Sequence, residues 1–156
     1  MNSSIQEIRR VLEHYDHIVV TAHVSPDGDA IGSTLALYGW LRSLQKEVVV
    51  VLDDDVDEKF SFLKDYAGIQ KPDAVQTDDS WLTVVLDATD MKRLGAAASL
   101  AKGKVLNIDH HISNQHFADW EYIRPDFAAA GELLTDLFLA WNVTIDAAWA
   151  DAVYLA

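Results

Sequence analysis

With 156 residues, the chain has the length of one domain that can bury a sizeable core. Its net charge of −13 argues against a surface that holds long nucleic acid by neutralising phosphates, but a short phosphate-bearing substrate is compatible with it. The chain contains no cysteine, which excludes disulfides, thiolate nucleophiles and zinc–thiolate sites.

The first ten residues are polar and then amphipathic, so they lack the apolar core of a signal peptide. No apolar run in the sequence is long enough to span a bilayer. We therefore expect a soluble cytoplasmic protein with no membrane partner.

Helical periodicity alternates with continuous β-branched runs along the chain. The first half predicts, in order, a helix capped by Ser3 or Ser4 that ends near His14, a strand at 17–22, a helix at 31–44, a strand at 47–52, a short helix at 58–66 and a loop at 71–80. The second half predicts a strand at 81–86, an alanine-rich helix at 94–102, a strand at 104–108, a short strand at 120–123, a helix at 129–141 and a helix from 147 onward. The strands are apolar throughout, which is typical of an α/β fold with a mostly parallel sheet and helices on both faces.

Ionisable side chains follow three of the predicted strands. They are His23, Asp27 and Asp29 after the first strand, Asp87 and Asp90 after the third, and Asp109, His110 and His111 after the fourth. The carboxyl ends of parallel strands share one edge of a sheet, where α/β proteins bind ligands. Crowded carboxylates would repel one another, and divalent cations would relieve that repulsion. Two ions about 3.5–4 Å apart would form a hydrolytic site.

Three motifs carry a resemblance to a known family. They are His23-Val-Ser-Pro-Asp-Gly-Asp-Ala-Ile-Gly-Ser33, Asp87-Ala-Thr-Asp-Met-Lys-Arg-Leu-Gly95, and Asp109-His110-His111. Together they resemble the DHH phosphoesterase superfamily, which includes RecJ-type nucleases, family II inorganic pyrophosphatases, and NrnA-like oligoribonucleases and pAp phosphatases. The middle segment is most similar to the NrnA-like branch.

The resemblance implies a site for two manganese or magnesium ions. His23 and Asp27 would hold one ion, Asp29 and His110 would hold the other, and Asp87 would bridge the two. Water made acidic by both ions would then attack phosphorus.

The resemblance also implies roles for three residues that do not bind metal. His111 would contact the scissile phosphate or the leaving group, Asp109 would orient an imidazole, and Arg93 is a candidate phosphate contact. The implied substrates are short nucleotides, namely oligoribonucleotides, pAp or cyclic dinucleotides, and not long duplex nucleic acid.

The chain departs from the family pattern in its extent. The resemblance covers nearly all of residues 1–156 but only about the first half of a typical family member, so we expect a truncated DHH domain. The family's fourth motif, which supplies an acidic ligand, and its second domain, which binds substrate, are absent. Residues 128–130 are alanines where relatives often have hydroxyl side chains.

Other interpretations remain open at this point. Within the superfamily the alternative is an inorganic pyrophosphatase, and outside the enzymes it is a non-catalytic module that binds metal or nucleotide. Asp27 is also suited to cap a helix, and Arg93 to form a surface ion pair. The acidic triplet at residues 53–55, which could suggest a phosphorelay receiver, is interpreted as a solvated turn or a contributor to the rim of the site. The sequence leaves the oligomeric state open, a homodimer included.

Overall fold

A computed structural model that describes residues 2–156 shows five β-strands and four α-helices. The strands are β1 (His17–Thr21), β2 (Glu47–Val50), β3 (Leu82–Leu86), β4 (Lys104–Asp109) and β5 (Trp120–Ile123). The helices are α1 (Ile5–His14), α2 (Gly28–Ser43), α3 (Ala130–Ala140) and α4 (Ala147–Leu155). Within the described residues, no helix combines the length and the apolar composition needed to cross a membrane.

All five strands lie parallel in one sheet, in the order β2-β1-β3-β4-β5. This confirms the predicted α/β fold with a parallel sheet. From β1 the chain continues to β2 on one side, and from β3 it continues to β4 on the other side. The carboxyl ends of β1 and β3 therefore form a topological switch point, where a crevice opens in sheets of this kind.

The two faces of the sheet carry different helical segments. Ile18 and Val20 of β1 belong to a large apolar cluster that includes buried residues of all four α-helices. Val19, between them, belongs to a smaller cluster with residues of the 3-10 segment Met91–Leu100. Because successive side chains of a strand point to opposite faces, both faces are covered, and all five residues of the central strand β3 are buried.

The helix predicted at 94–102 is present in part, but it is not an α-helix. The chain instead forms 3-10 turns over Met91–Leu100, interrupted at Gly95, which has φ 58° and ψ −136°. At this residue the backbone passes so close to Asp53 that a Cβ would lie 2.0 Å from its Oδ2. This long-range contact overrides the helix propensity of the alanines that follow.

The predicted short helix at 58–66 is also corrected by the structure. Two separate 3-10 turns form in its place, one at Glu58–Phe60 and one at Tyr66–Gly68. Helix α2 begins at Gly28 rather than at residue 31, because Asp27 Oδ1 accepts the Ala30 N–H at 3.1 Å and caps the helix there. Asp29 therefore lies in the first turn of α2.

Helix α4 packs closely against α2 through glycines. A Cβ on Gly32 would lie 2.6 Å from Ala152 O, and a Cβ on Gly39 would lie 2.5 Å from the Trp149 side chain. The end of α4 also reaches α3, where a Cβ on Gly131 would lie 2.6 Å from the carbonyl carbon of Ala156. Small residues thus bring α4 beside the first turns of α2 and α3.

Candidate metal centre

The loops after β1, β3 and β4 bring imidazoles and carboxylates together at the switch point. The His23 Nε2 atom lies 3.4 Å from Asp87 Oδ2, and the His110 Nε2 atom lies 3.3 Å from Asp87 Oδ1. The flanking carboxylates are Asp27 Oδ1, 3.9 Å from His23 Nε2, and Asp29 Oδ2, 3.6 Å from His110 Nε2. All five predicted metal ligands thus lie in one cluster.

Asp87 occupies the centre of this cluster. Its side chain is only 3% exposed, and within residues 2–156 its Oδ1 has no hydrogen-bond partner. A buried carboxylate oxygen without a donor is costly, so it indicates a position for a cation. Asp87 has φ 53°, a left-handed conformation that Asp and Asn tolerate better than most residues. The two oxygens of Asp87 face different histidines.

The rings of both histidines are oriented by backbone carbonyls. His23 Nδ1 lies 2.7 Å from Val24 O, and His110 Nδ1 lies 3.3 Å from Phe127 O. A carbonyl can only accept, so each Nδ1 carries the proton and donates it. Each Nε2 then directs a lone pair at the carboxylates, which is the arrangement of a metal-binding histidine.

The two carboxylates of the first motif are held differently. Asp27 is the exposed N-cap of α2, so the same side chain contacts both the helix start and the site. Asp29 is mostly buried, and its two oxygens accept the N–H groups of Ala130 and Gly131, at 2.8 and 2.9 Å. Asp29 therefore connects α2 to the first turn of α3.

The pKa values in the cluster indicate a shortage of positive charge. The contact with Asp87 raises the pKa of His23 against the opposing effect of burial. Burial, followed by the charge of Asp87, raises the pKa of Asp29 above its ordinary value, although two backbone N–H groups lower it. A divalent cation between these side chains would reverse both effects, because it favours the carboxylate and the neutral imidazole.

Asp109 and His111 form a separate pair beside this cluster. Asp109 is fully buried, and its Oδ1 accepts the His111 Nδ1–H at 2.7 Å and the His110 backbone N–H at 2.8 Å. The ring of His111 is half-exposed and lines the cavity above the cluster. Since Nδ1 is bonded to Asp109, Nε2 is the ring nitrogen that remains for a ligand.

A cavity of about 360 Å³ opens over the site. Its lining consists of the five clustered residues, His111, Arg93, Ala128 and Ala129. Arg93 is the arginine of this lining. Asp90 is not part of the lining, because it caps the 3-10 segment through the N–H groups of Lys92 and Arg93.

Two groups of supporting residues make contacts that the sequence alone does not show. Asn114 Nδ2 donates to Asp109 Oδ2 at 2.6 Å and to Asn107 Oδ1 at 2.7 Å, in a buried network. The second group is part of the acidic triplet, which is more than a solvated turn. Asp54 Oδ2 accepts the Ser25 N–H at 2.6 Å, and Asp53 Oδ2 accepts the Ala96 N–H at 2.9 Å.

The donor set fits hard divalent cations. Two groups of side chains have ligand atoms within 4.8 Å of one another, one with His23, Asp27 and Asp87, and one with Asp87, Asp109, His110 and His111. Asp87 is common to both groups. Carboxylate oxygens and imidazole nitrogens suit manganese and magnesium, and the chain has no thiolate that would favour softer metals. The fold and this cluster define an α/β protein with a candidate site for divalent metal at the switch point of its sheet.

Comparison with known proteins assigns this chain to a family. The profile described as "DHH family, N-terminal domain" matches residues 17–156, so the chain belongs to the DHH family. It is 35% identical over 121 residues to the bifunctional oligoribonuclease and PAP phosphatase NrnA of Thermus thermophilus, covering 77% of this chain and 36% of that protein.

Two further relatives support the same assignment. The chain is 30% identical over 112 residues to a probable manganese-dependent inorganic pyrophosphatase of Streptococcus mutans, covering 69% of this chain and 36% of that protein. The crystal structure of an exopolyphosphatase-related protein from Bacteroides fragilis superposes with a TM-score of 0.86 at 27% identity, covering 97% of this chain and 48% of that one.

The chain spans less than half the length of each of these relatives. The two curated relatives are named as a bifunctional oligoribonuclease and PAP phosphatase and as a probable manganese-dependent inorganic pyrophosphatase, and this chain matches about a third of each.

Proposed function

We propose that this chain is the metal-binding domain of a phosphoesterase that hydrolyses phosphate esters of short nucleotides with two divalent cations, manganese or magnesium. The observation that carries the proposal is the position of Asp87 between the Nε2 atoms of His23 and His110, at 3.4 and 3.3 Å. One buried carboxylate faced by two imidazole lone pairs is an arrangement suited to bridging two cations.

In this proposal each ion has its own pair of ligands beside Asp87. His23 and Asp27 hold one ion, and Asp29 and His110 hold the other. When residues are grouped only by the distances between their ligand atoms, His110 falls in a group with Asp109 and not with Asp29. We favour Asp29, because the oxygens of Asp109 are already taken by N–H donors from the DHH motif and from Asn114. The bound ions would supply charge neutralisation and a lowered pKa for water.

The remaining site residues act on the substrate. His111 contacts the scissile phosphate or the leaving group through Nε2, the ring nitrogen that Asp109 does not engage. Asp109 keeps this imidazole in one tautomer and orientation. Arg93 binds a phosphate oxygen of the substrate from the wall of the cavity. An anionic substrate needs such a cation in a chain whose net charge is −13.

We further propose that this domain works with a second, substrate-binding domain. Each curated relative is more than twice as long as the matched region. The end of α4 packs against Gly131, whose N–H binds Asp29. In a protein of the relatives' length, residues that follow Ala156 would start beside the site and could supply the acidic ligand of the fourth motif.

The test measures hydrolysis by the complete gene product and by the 156-residue chain, each with Mn²⁺. The substrates are pAp, a diribonucleotide and inorganic pyrophosphate. We expect the complete product to release phosphate from pAp and mononucleotides from the diribonucleotide, and we expect Asp87→Asn to abolish both reactions.

Hydrolysis of pyrophosphate alone would instead favour the second candidate function, an inorganic pyrophosphatase, which the similarity to the Streptococcus mutans protein supports. Mn²⁺ binding without hydrolysis of any of the three would contradict an enzymatic function.

A further inference from the structure

The two proposed ion sites are supported by different parts of the chain. The ligands of the first site are held within the turn after β1, since His23 binds Val24 O at 2.7 Å and Asp27 binds the Ala30 N–H at 3.1 Å. These contacts span only one and three residues of the sequence. The first site is therefore formed by a local segment that orients its own ligands.

The ligands of the second site depend on a distant segment. His110 Nδ1 binds Phe127 O at 3.3 Å, and Asp29 accepts the Ala130 and Gly131 N–H groups at 2.8 and 2.9 Å. All three backbone groups lie in the loop between β5 and α3 or in the first turn of α3. Both ligands of the second site are thus oriented by this one connection.

Arg124 holds this connection in one conformation. Its Nε and Nη2 atoms donate to the two carboxylate oxygens of Asp126 at 2.9 and 2.6 Å, and its Nη1 donates to Tyr122 Oη at 3.1 Å. The centre of the guanidinium lies 4.8 Å from the centroid of the Phe127 ring. A two-pronged ion pair together with a cation–π contact restrains the loop at the residue that binds His110.

The ends of the loop are fixed by two further contacts. The backbone N–H of Arg124 donates to Asp109 O at 2.9 Å, and Glu132 Oε2 accepts the Ala128 N–H at 2.8 Å. The loop is therefore attached to β4 at its start and to α3 at its end. Between these attachments the Phe127 N–H donates to Arg124 O at 3.1 Å, and the Phe127 ring lies between the Arg124 guanidinium and the large apolar cluster.

We infer that Arg124 is a positioning residue for the ion site of Asp29 and His110, and that it leaves the ion site of His23 and Asp27 unaffected. The inference rests on the proposed function. Groups that orient metal ligands from outside the coordination shell typically change metal affinity about 10- to 100-fold. Loss of Arg124 is therefore expected to weaken one of two binding steps and not both.

The experiment titrates Mn²⁺ into the metal-free protein and resolves the two binding steps by calorimetry. We expect Arg124→Ala to weaken one step about 10- to 100-fold and to leave the other step unchanged. Arg124→Lys keeps the charge but loses the two-pronged contact, so it should have an intermediate effect. The matched control is Lys104→Ala, which breaks the Lys104–Asp119 ion pair of 2.7 Å at the opposite end of β4 and should change neither step.

A double-mutant cycle identifies the affected site. In the His110→Ala background, where the second site is already lost, Arg124→Ala should have no further effect on Mn²⁺ affinity. In the His23→Ala background it should show its full effect. Equal losses in both backgrounds, or an unchanged Arg124→Ala protein, would overturn the inference and leave the proposed function intact. A protein without substitutions that binds no Mn²⁺ would overturn both.

Discussion

The orientation of His111 depends on a chain of buried polar side chains. Asp109 binds His111 through one oxygen and Asn114 through the other, at 2.7 and 2.6 Å. The Asn114 Oδ1 accepts the His116 N–H at 2.8 Å, which places its amide nitrogen toward Asp109. At the scale of single residues, the His111 imidazole that lines the cavity is thus fixed by groups that do not line it.

Replacement of Asn114 should therefore destabilise the protein. Asn114→Ala removes the donor to Asp109 Oδ2 and leaves a buried charged oxygen unsatisfied, so we expect a loss of about 3 kcal/mol in the free energy of unfolding. Urea denaturation followed by circular dichroism measures this loss. Gln115→Ala, at the exposed neighbouring position, is the control and should stay within about 0.5 kcal/mol. A similar small change for Asn114→Ala would contradict the role of this network.

At the scale of elements, the connection between β3 and β4 supports the site from outside. Its 3-10 segment Met91–Leu100 covers one face of the sheet and carries Arg93. The backbone carbonyl of Arg93 accepts the N–H of Val24 at 2.7 Å, within the motif that begins at His23. The break at Gly95 lets Asp53 reach the Ala96 N–H, and this contact fixes the segment relative to β2.

The close contact at Gly95 predicts that one methyl group added at this residue destabilises the protein strongly. Gly95→Ala would place a Cβ 2.0 Å from Asp53 Oδ2, at a residue whose φ of 58° already disfavours side chains. We expect the midpoint of chemical denaturation to fall by the equivalent of about 2–4 kcal/mol. Gly68→Ala is the matched control, because nothing lies within 4 Å of its Cβ, and it should be neutral. Equal midpoints for the two variants would show that the break at Gly95 is not required.

Local patterns in the sequence predict the elements that have local causes. The Ser4 and Asp27 caps, the five strands and the positions of His23, Asp87 and His110 at strand ends follow from periodicity and motif spacing. The break at Gly95 could not be predicted, because it depends on a contact with Asp53, 42 residues earlier in the chain. The role of Phe127 in orienting His110 is hidden for the same reason, since a backbone carbonyl leaves no mark on the sequence.

At the scale of the whole molecule, the sheet brings acids from three loops to one edge of a strongly acidic chain. Burial, followed by the charge of Asp87, raises the pKa of Asp29 at this edge. A cation that binds only the folded state adds stability in proportion to RT ln(1 + [L]/Kd), which is about 2.7 kcal/mol at a concentration 100 times Kd. Divalent cations should therefore raise the melting temperature of the protein, and a chelator should reverse the increase.

The central claim is that Asp87 bridges two cations, and calorimetric titration of Mn²⁺ into the protein and its Asp87→Asn variant tests it most directly. Asn tolerates the left-handed backbone of Asp87 and removes only the charge, so the fold should persist. The control is Asp73→Asn, an exposed position with the same change of charge. The account predicts two Mn²⁺ ions per chain for the unsubstituted protein and for Asp73→Asn, and loss of both high-affinity steps in Asp87→Asn. Unchanged Mn²⁺ binding by a folded Asp87→Asn protein would contradict it.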